Sequence, residues 1–213
     1  MMMKYEGIIF DLDGVICHTD QFHYKAWKTV ADRMGIYFDE EINNRLRGVS
    51  RMESLEIVLE GYHGTLSQEQ KLKLAAEKND HYIKLLMQMD ESYLSDEVMD
   101  TLNELHEEGL QLAIGSSSKN AELILRRLVL WDFFDAVCDG THISHSKPHP
   151  EVFLLAADQL LLKPAQCLVV EDAYAGVEAA FAGGFDCAGI GDAANFKGIT
   201  YRLNSFNELL SIK

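Results

Sequence analysis

The chain opens on an apolar run, Ile8-Ile9-Phe10, that passes into Asp11-Leu12-Asp13-Gly14-Val15. A run bounded in this way predicts a strand buried on both faces. Beyond it the hydrophobic period lengthens. Tyr24, Trp27, Val30, Ala31 and Met34 share one helical face, and Gly35 stops the pattern. Further helices are predicted over 39–46, 52–59 and 68–89, with no strand alternation between them. From Ser95 onward the two periods alternate. Helices are predicted over 96–108, 120–128, 151–160, 174–182 and 206–212, and strands over 110–114, 136–138, 167–170 and 187–190. Such alternation implies a Rossmann-like, doubly wound parallel sheet with helices on both faces. The expected organisation is a discontinuous α/β core, residues 1–17 and 91–213, with a helical cap domain, residues 18–90, inserted after the first strand.

Composition alters this picture only through charge. A chain of 213 residues with 47% hydrophobic and 25% charged residues is ordinary for a globular protein. The net charge of -15 excludes nucleic acid as a bulk ligand, because phosphate-backbone binding depends on Lys and Arg. A protein this acidic that handles phosphate needs a few placed cations and a metal. The start, Met1-Met2-Met3-Lys4, runs into the first strand without a signal-peptide core, and no apolar run approaches the roughly 20 residues that span a bilayer. A cytoplasmic protein without a membrane partner is expected. Cys17, Cys138, Cys167 and Cys187 show no Cys-x-x-Cys spacing and read as buried, reduced thiols.

Ligands of open parallel sheets bind beyond the carboxyl ends of the strands, so chemistry-bearing residues belong just after them. They are found there. Asp11 and Asp13 follow the first strand, Ser116-Ser117-Ser118-Lys119-Asn120 the second, Ser146-Lys147-Pro148 the short third, and Glu171-Asp172 the fourth. A solvated strand-to-turn junction explains any one Asp-x-Asp, an exposed lysine any one lysine, and helix capping the serines; the combination points to phosphoryl transfer. Asp11 is the candidate nucleophile and Asp13 the candidate general acid and base. Glu171 and Asp172 offer hard oxygens suited to Mg²⁺. The Ser116–Ser118 turn makes a phosphate cradle at a strand-to-helix junction, and Lys147 adds a point charge for the transferring oxygens.

Asp11-Leu12-Asp13-Gly14-Val15, the Ser116 loop, Lys147-Pro148 and Glu171-Asp172-Ala173 with Ala175-Gly176 resemble, in order, the four motifs of the haloacid dehalogenase superfamily of phosphotransferases. The second aspartate resembles its phosphatase and mutase members. The resemblance implies one Mg²⁺ held by Asp11, Asp13, Glu171 and Asp172, and a mobile cap that selects the substrate. Within the cap, Arg47-Gly48-Val49-Ser50-Arg51, Ser54, Lys78-Asn79-Asp80, and His23 with Trp27 resemble the sugar-phosphomutase members, where residues matching Arg51, Ser118 and Asn120 hold the non-transferring phosphate. Gly48, Val49, Ser54, His23, Trp27, Lys78, Ser117 and Lys119 join the implied substrate-binding set. The implied activity interconverts β-D-glucose 1-phosphate and glucose 6-phosphate through a phospho-aspartyl enzyme and glucose 1,6-bisphosphate. The alternative is a Mg²⁺-dependent phosphatase acting on a sugar phosphate or another small phosphomonoester. The protein is expected to act as a monomer on a small-molecule sugar phosphate.

Several positions depart from the family pattern. His18 replaces a common aspartate, the second hinge at Tyr93-Leu94-Ser95-Asp96 has no proline, and Ala173 replaces a serine. Arg47 stands where lysine is familiar, a change without consequence if the backbone makes the contact. His142, His145 and His149 show no metal-ligand spacing and read as a solvated loop.

Overall fold

The computed structural model describes residues 4–212. The expectations for Met1–Met3, and the last residue of the expected core, lie outside the described residues. Six parallel strands form one sheet: β1 (Gly7–Phe10), β2 (Gln111–Gly115), β3 (Ala136–Cys138), β4 (Cys167–Glu171), β5 (Asp186–Gly189) and β6 (Tyr201–Arg202), in the order β3-β2-β1-β4-β5-β6. The order reverses at β1, so the crevice of this doubly wound sheet opens beside its carboxyl end. Register sharpens the placement, because Phe10 lies level with both Ile114 and Val170. Asp11, Gly115 and Glu171 therefore follow at one height.

Both sheet faces are buried, as the near-continuous apolar strands require. Ile8, Phe10, Leu112, Ile114, Leu168 and Val170 pack into one core, while Ile9, Ala113, Val169, Cys167 and Cys187 pack into a second on the opposite face. All four cysteines are buried and free. The helices that cover these faces are α5 (Asp96–Glu107), α6 (Ala121–Arg127), α7 (Glu151–Gln159) and α8 (Tyr174–Ala182).

Between β1 and α5 lies no further strand but an isolated bridge between Asp13 and Cys17 and the helices α1 (Asp20–Met34), α2 (Glu40–Asn44), α3 (Arg51–Val58) and α4 (Gln68–Leu86). Their ends follow local chemistry. Gly35 takes a left-handed φ of 67° to close α1, and Ser50 with Glu53 and Ser67 with Gln70 form capping boxes that start α3 and α4. Trp27, Val30, Ile36, Leu55, Val58, Leu74 and Ala75 build a third hydrophobic cluster inside this segment. The feet of α1 and α4, at Phe22, Ala26, Tyr82 and Leu86, instead join the main core.

Two elements differ from expectation. Residues 206–212, expected as an α-helix, form a 3-10 helix over Phe206–Ser211; six residues hold too few i→i−4 bonds to repay helix nucleation. The edge strand β6 carries no periodicity, since two residues form no pattern.

Candidate active site

Strand β1 stops one residue before Asp11, although the Asp11 amide still donates to the Val170 carbonyl at 2.9 Å. Asp11 is 7% exposed. Lys147, fully buried, donates to Asp11 Oδ1 at 2.5 Å and to Glu171 Oε1 at 2.6 Å. Burial works against the ammonium, but Asp11 and Glu171 outweigh it and hold its pKa above the ordinary lysine range. Burial pushes the Glu171 carboxyl up against the opposing pull of Lys147. Glu171 Oε2 accepts the amides of Asp172 and Ala173 at 3.0 and 3.1 Å.

Two glycines make this closeness possible. Gly14 has a φ of +97°, and a Cβ there would strike the Asp172 carboxylate. At Gly176 a Cβ would strike the Glu171 carboxylate, so the start of α8 presses directly onto the acid it follows.

The ligand oxygens of Asp11, Glu171 and Asp172 lie within 4.8 Å of one another. Three buried carboxylates repel, and burial, Glu171 and Asp11 push Asp172 up to about 8. This all-oxygen donor set fits a hard divalent cation such as Mg²⁺, whose charge would relieve the repulsion. The side chain of Asp13, expected to join the ligands, stands outside the group and accepts from the Thr19 hydroxyl.

Burial and the neighbouring Asp11 push the Asp13 carboxyl up to about 7. Its ionised form therefore costs stability. The cost is absent below the ordinary carboxylate pKa near 4 and complete above the raised value. Asp13→Asn keeps an oxygen for Thr19 and removes the charge. In metal-free protein it is expected to gain about 1–2 kcal/mol at pH 8 over its value at pH 5, read by urea unfolding at both pH values.

The serine turn is organised by its own backbone. Ser118 N donates to Ser116 Oγ at 3.1 Å, and Asn120 N donates to Ser118 Oγ at 3.2 Å. The Ser117 hydroxyl is buried without a partner among the described residues, an orphan that a bound anion would satisfy. Asn120 Nδ2 donates to Asn79 Oδ1 at 3.0 Å and so ties this turn to α4.

A cleft of about 1060 Å³ joins the two halves of the molecule. It is lined by Asp11, Asp13, Ser116, Ser117, Ser118, Lys119 and Asn120 from the sheet side, and by His23, Trp27, Gly48, Val49, Arg51, Ser54 and Lys78 from the helical side. Lys147, Glu171 and Asp172 are buried and do not line it. Lys78 is 3% exposed, lies 2.8 Å from His23 Nδ1, and stacks over Tyr82 at 4.4 Å. Burial first, and then Arg51, lower its pKa to about 7. The Arg51 guanidinium makes no hydrogen bond or ion pair among the described residues, though Asp80 lies near enough to act on its charge.

Sequence reasoning missed Thr19, Tyr82 and the side chain of Arg47. Thr19 is 1% exposed and bridges Asp13 to Tyr82, whose hydroxyl donates to it at 3.0 Å; no motif marks a lone threonine. Arg47 acts through its side chain, bonding Asp172 and lying 3.1 Å from Asp192 and 3.7 Å from Asp20. The contact is thus made by the side chain, the case in which arginine and lysine differ. The planar guanidinium reaches several carboxylates that an ammonium serves only as a point charge. His18 is exposed, and Ala173 is buried beside Asp172.

A parallel doubly wound sheet with a buried carboxylate, a buried lysine and a serine-rich turn at its switch point fits an α/β enzyme for phosphoryl chemistry. The sequence model of the haloacid dehalogenase-like hydrolase family matches residues 5–184, and the chain belongs to that family. It is 39% identical to β-phosphoglucomutase of Bacillus subtilis over 87% of this chain and 83% of that protein. It is 33% identical to the fructose-1-phosphate phosphatase YqaB of Escherichia coli over 89% of this chain and 98% of the other. The crystal structure of β-phosphoglucomutase from Clostridium difficile superposes with a TM-score of 0.90 at 36% identity, covering 96% of this chain and 93% of that one. No helix among the described residues is long and apolar enough to cross a membrane.

Proposed function

We propose that this chain is a β-phosphoglucomutase, with residues 18–90 as a cap over a core of residues 1–17 and 91–213. The observation that carries the reading is Arg51, which lines the same cleft as Asp11 and the Ser116 turn. A mutase must hold a second phosphate while the first transfers, and an arginine in no ion pair is suited to that grip.

In the proposed mechanism phospho-Asp11, primed by glucose 1,6-bisphosphate, meets β-glucose 1-phosphate: Asp13 takes the proton from the 6-hydroxyl, that oxygen attacks the phosphorus, and the bond to the Asp11 carboxylate breaks. The glucose 1,6-bisphosphate so formed reorients. The Asp11 carboxylate then attacks the other phosphorus, the bond to the 1-oxygen breaks, and Asp13 gives that oxygen its proton, leaving glucose 6-phosphate and phospho-Asp11. Lys147 donates to Asp11 and fixes its carboxylate in place, and the Ser116 turn receives the transferring oxygens. Mg²⁺, held by Asp11, Asp172 and Glu171, would offset phosphoryl charge when bound.

The YqaB-like relatives favour a second reading, a sugar phosphatase with the same core and water as acceptor. Purified enzyme with Mg²⁺, β-glucose 1-phosphate and a trace of glucose 1,6-bisphosphate is expected to form glucose 6-phosphate faster than free phosphate. Phosphate release alone would decide for the phosphatase. Arg51→Ala is expected to lower mutase turnover about 10²-fold while hydrolysis of p-nitrophenyl phosphate changes little. Equal losses in both assays would make Arg51 structural.

A further inference from the structure

The loop that delivers Lys147 carries a second constellation with no role in the proposed mechanism, although His145 and His149 line the same cleft as Asp11. His145, His149 and Glu151 flank Lys147 on both sides, and one ligand atom from each lies within 4.8 Å of the other two. Along the chain the histidines read as unrelated positions in a solvated loop. The turn that bonds the His149 amide to the Ser146 carbonyl folds the loop back and brings the two imidazole rings to 4.7 Å between centroids. Glu151 is already oriented: Ser144 N donates to its Oε1 at 2.8 Å and His145 N to its Oε2 at 2.9 Å. The His145 Nδ1 lies 2.9 Å from the same Oε2, and that of His149 lies 3.8 Å from it.

We propose that His145, His149 and Glu151 form a binding site for a borderline divalent transition metal, Zn²⁺ by preference, separate from the acidic cluster at Asp11. Two imidazole nitrogens and one carboxylate oxygen are a recurrent three-ligand zinc set that leaves a fourth position for water. Bonds of about 2.0–2.1 Å to a tetrahedral ion put the ligands roughly 3.3 Å apart, so no pair of groups now within 4.8 Å needs to close by more than about 1.5 Å on an exposed loop. The donor set also separates this site from the first. Mg²⁺ takes oxygen ligands in near-octahedral geometry and has little use for imidazole, so the acidic cluster fills with Mg²⁺ and leaves the histidines to the softer ion. An ion held here ties the two ends of the Lys147 loop together.

Equilibrium dialysis in saturating Mg²⁺ tests the site. At about 10 µM free Zn²⁺ the wild-type chain is expected to retain one Zn²⁺. The double variant His145→Gln/His149→Gln is expected to bind it at least about 100-fold more weakly, since even the loss of an outer partner costs 10–100-fold. His142→Gln, on the same loop but outside the cluster, is expected to retain it. Equal retention by the double variant, or none by the wild type, would overturn the assignment. Histidine NMR of the wild type gives an independent reading that needs no variant to fold: Zn²⁺ is expected to shift two imidazole spin systems, and shifts spread over the other histidines would count against the site.

Discussion

Asp11→Asn is expected to lower both mutase and phosphatase turnover by at least about 10⁴-fold and to abolish phosphoryl incorporation into the protein. The size of the effect follows from position. Asp11 stands at the carboxyl end of β1, the strand at which the sheet order reverses, and its amide is pinned to Val170 by a bond of 2.9 Å. Lys147 holds Oδ1 at 2.5 Å. An amide in that place is neutral and a poor nucleophile, while the substitution leaves volume and backbone unchanged. The loss would therefore report chemistry rather than folding. Mass spectrometry after brief exposure to glucose 1,6-bisphosphate checks the result. A variant that still takes up phosphate, or that turns over within about 100-fold of the wild type, would place the nucleophile elsewhere.

Lys147→Ala is expected to cost about 3–5 kcal/mol of stability at pH 8, about 10 °C in Tm, together with nearly all activity. The lysine is fully buried between two carboxylates that are 7% and 1% exposed, and its removal leaves both without a counter-charge. The expected pH dependence separates this charge effect from a cavity. Glu171, already pushed up by burial, is pushed further up when Lys147 is absent. Its folded pKa then exceeds its unfolded one, so the folded variant binds the extra proton, and stability is lost as pH rises through the folded value. The deficit against wild type should be smaller at pH 5 than at pH 8. Lys147→Met, which restores much of the volume without the charge, should keep this pH dependence. Thermal unfolding of both variants at the two pH values is the measurement, and a deficit independent of pH would mean that packing alone was lost.

The contrast between these two residues shows how far the sequence could be read. Asp11 stands out in the chain because a buried apolar run ends in two acids, which packing does not explain. Lys147 is one lysine in a turn, and its value depends on what surrounds it. Only the assembled sheet gives it two carboxylate partners, one of them 136 residues away. Arg47 is a stronger case. Its sequence context leaves open whether backbone or side chain makes the contact, and the helical segment lays its side chain across Asp172, Asp192 and Asp20. Thr19 carried no signal, because its role is to hold Asp13 beneath Tyr82, and Tyr82 is 63 residues distant.

By itself the sequence determined the elements, their alternation and the positions of the candidate chemical groups just after the strands. Those follow from local periods of two and 3.6 residues and from caps that act within a turn. It therefore also determined the class of chemistry, since Asp11, Asp13, the Ser116 turn, Lys147 and Glu171-Asp172 each follow a strand in chain order. The tertiary structure decided which groups meet. It set Lys147 between Asp11 and Glu171, excluded the Asp13 side chain from the acidic cluster, and gathered His145, His149 and Glu151 into one group. The physical reason is that a charge interaction depends on distance and burial, and both are fixed by strand order and register across the sheet rather than by spacing along the chain.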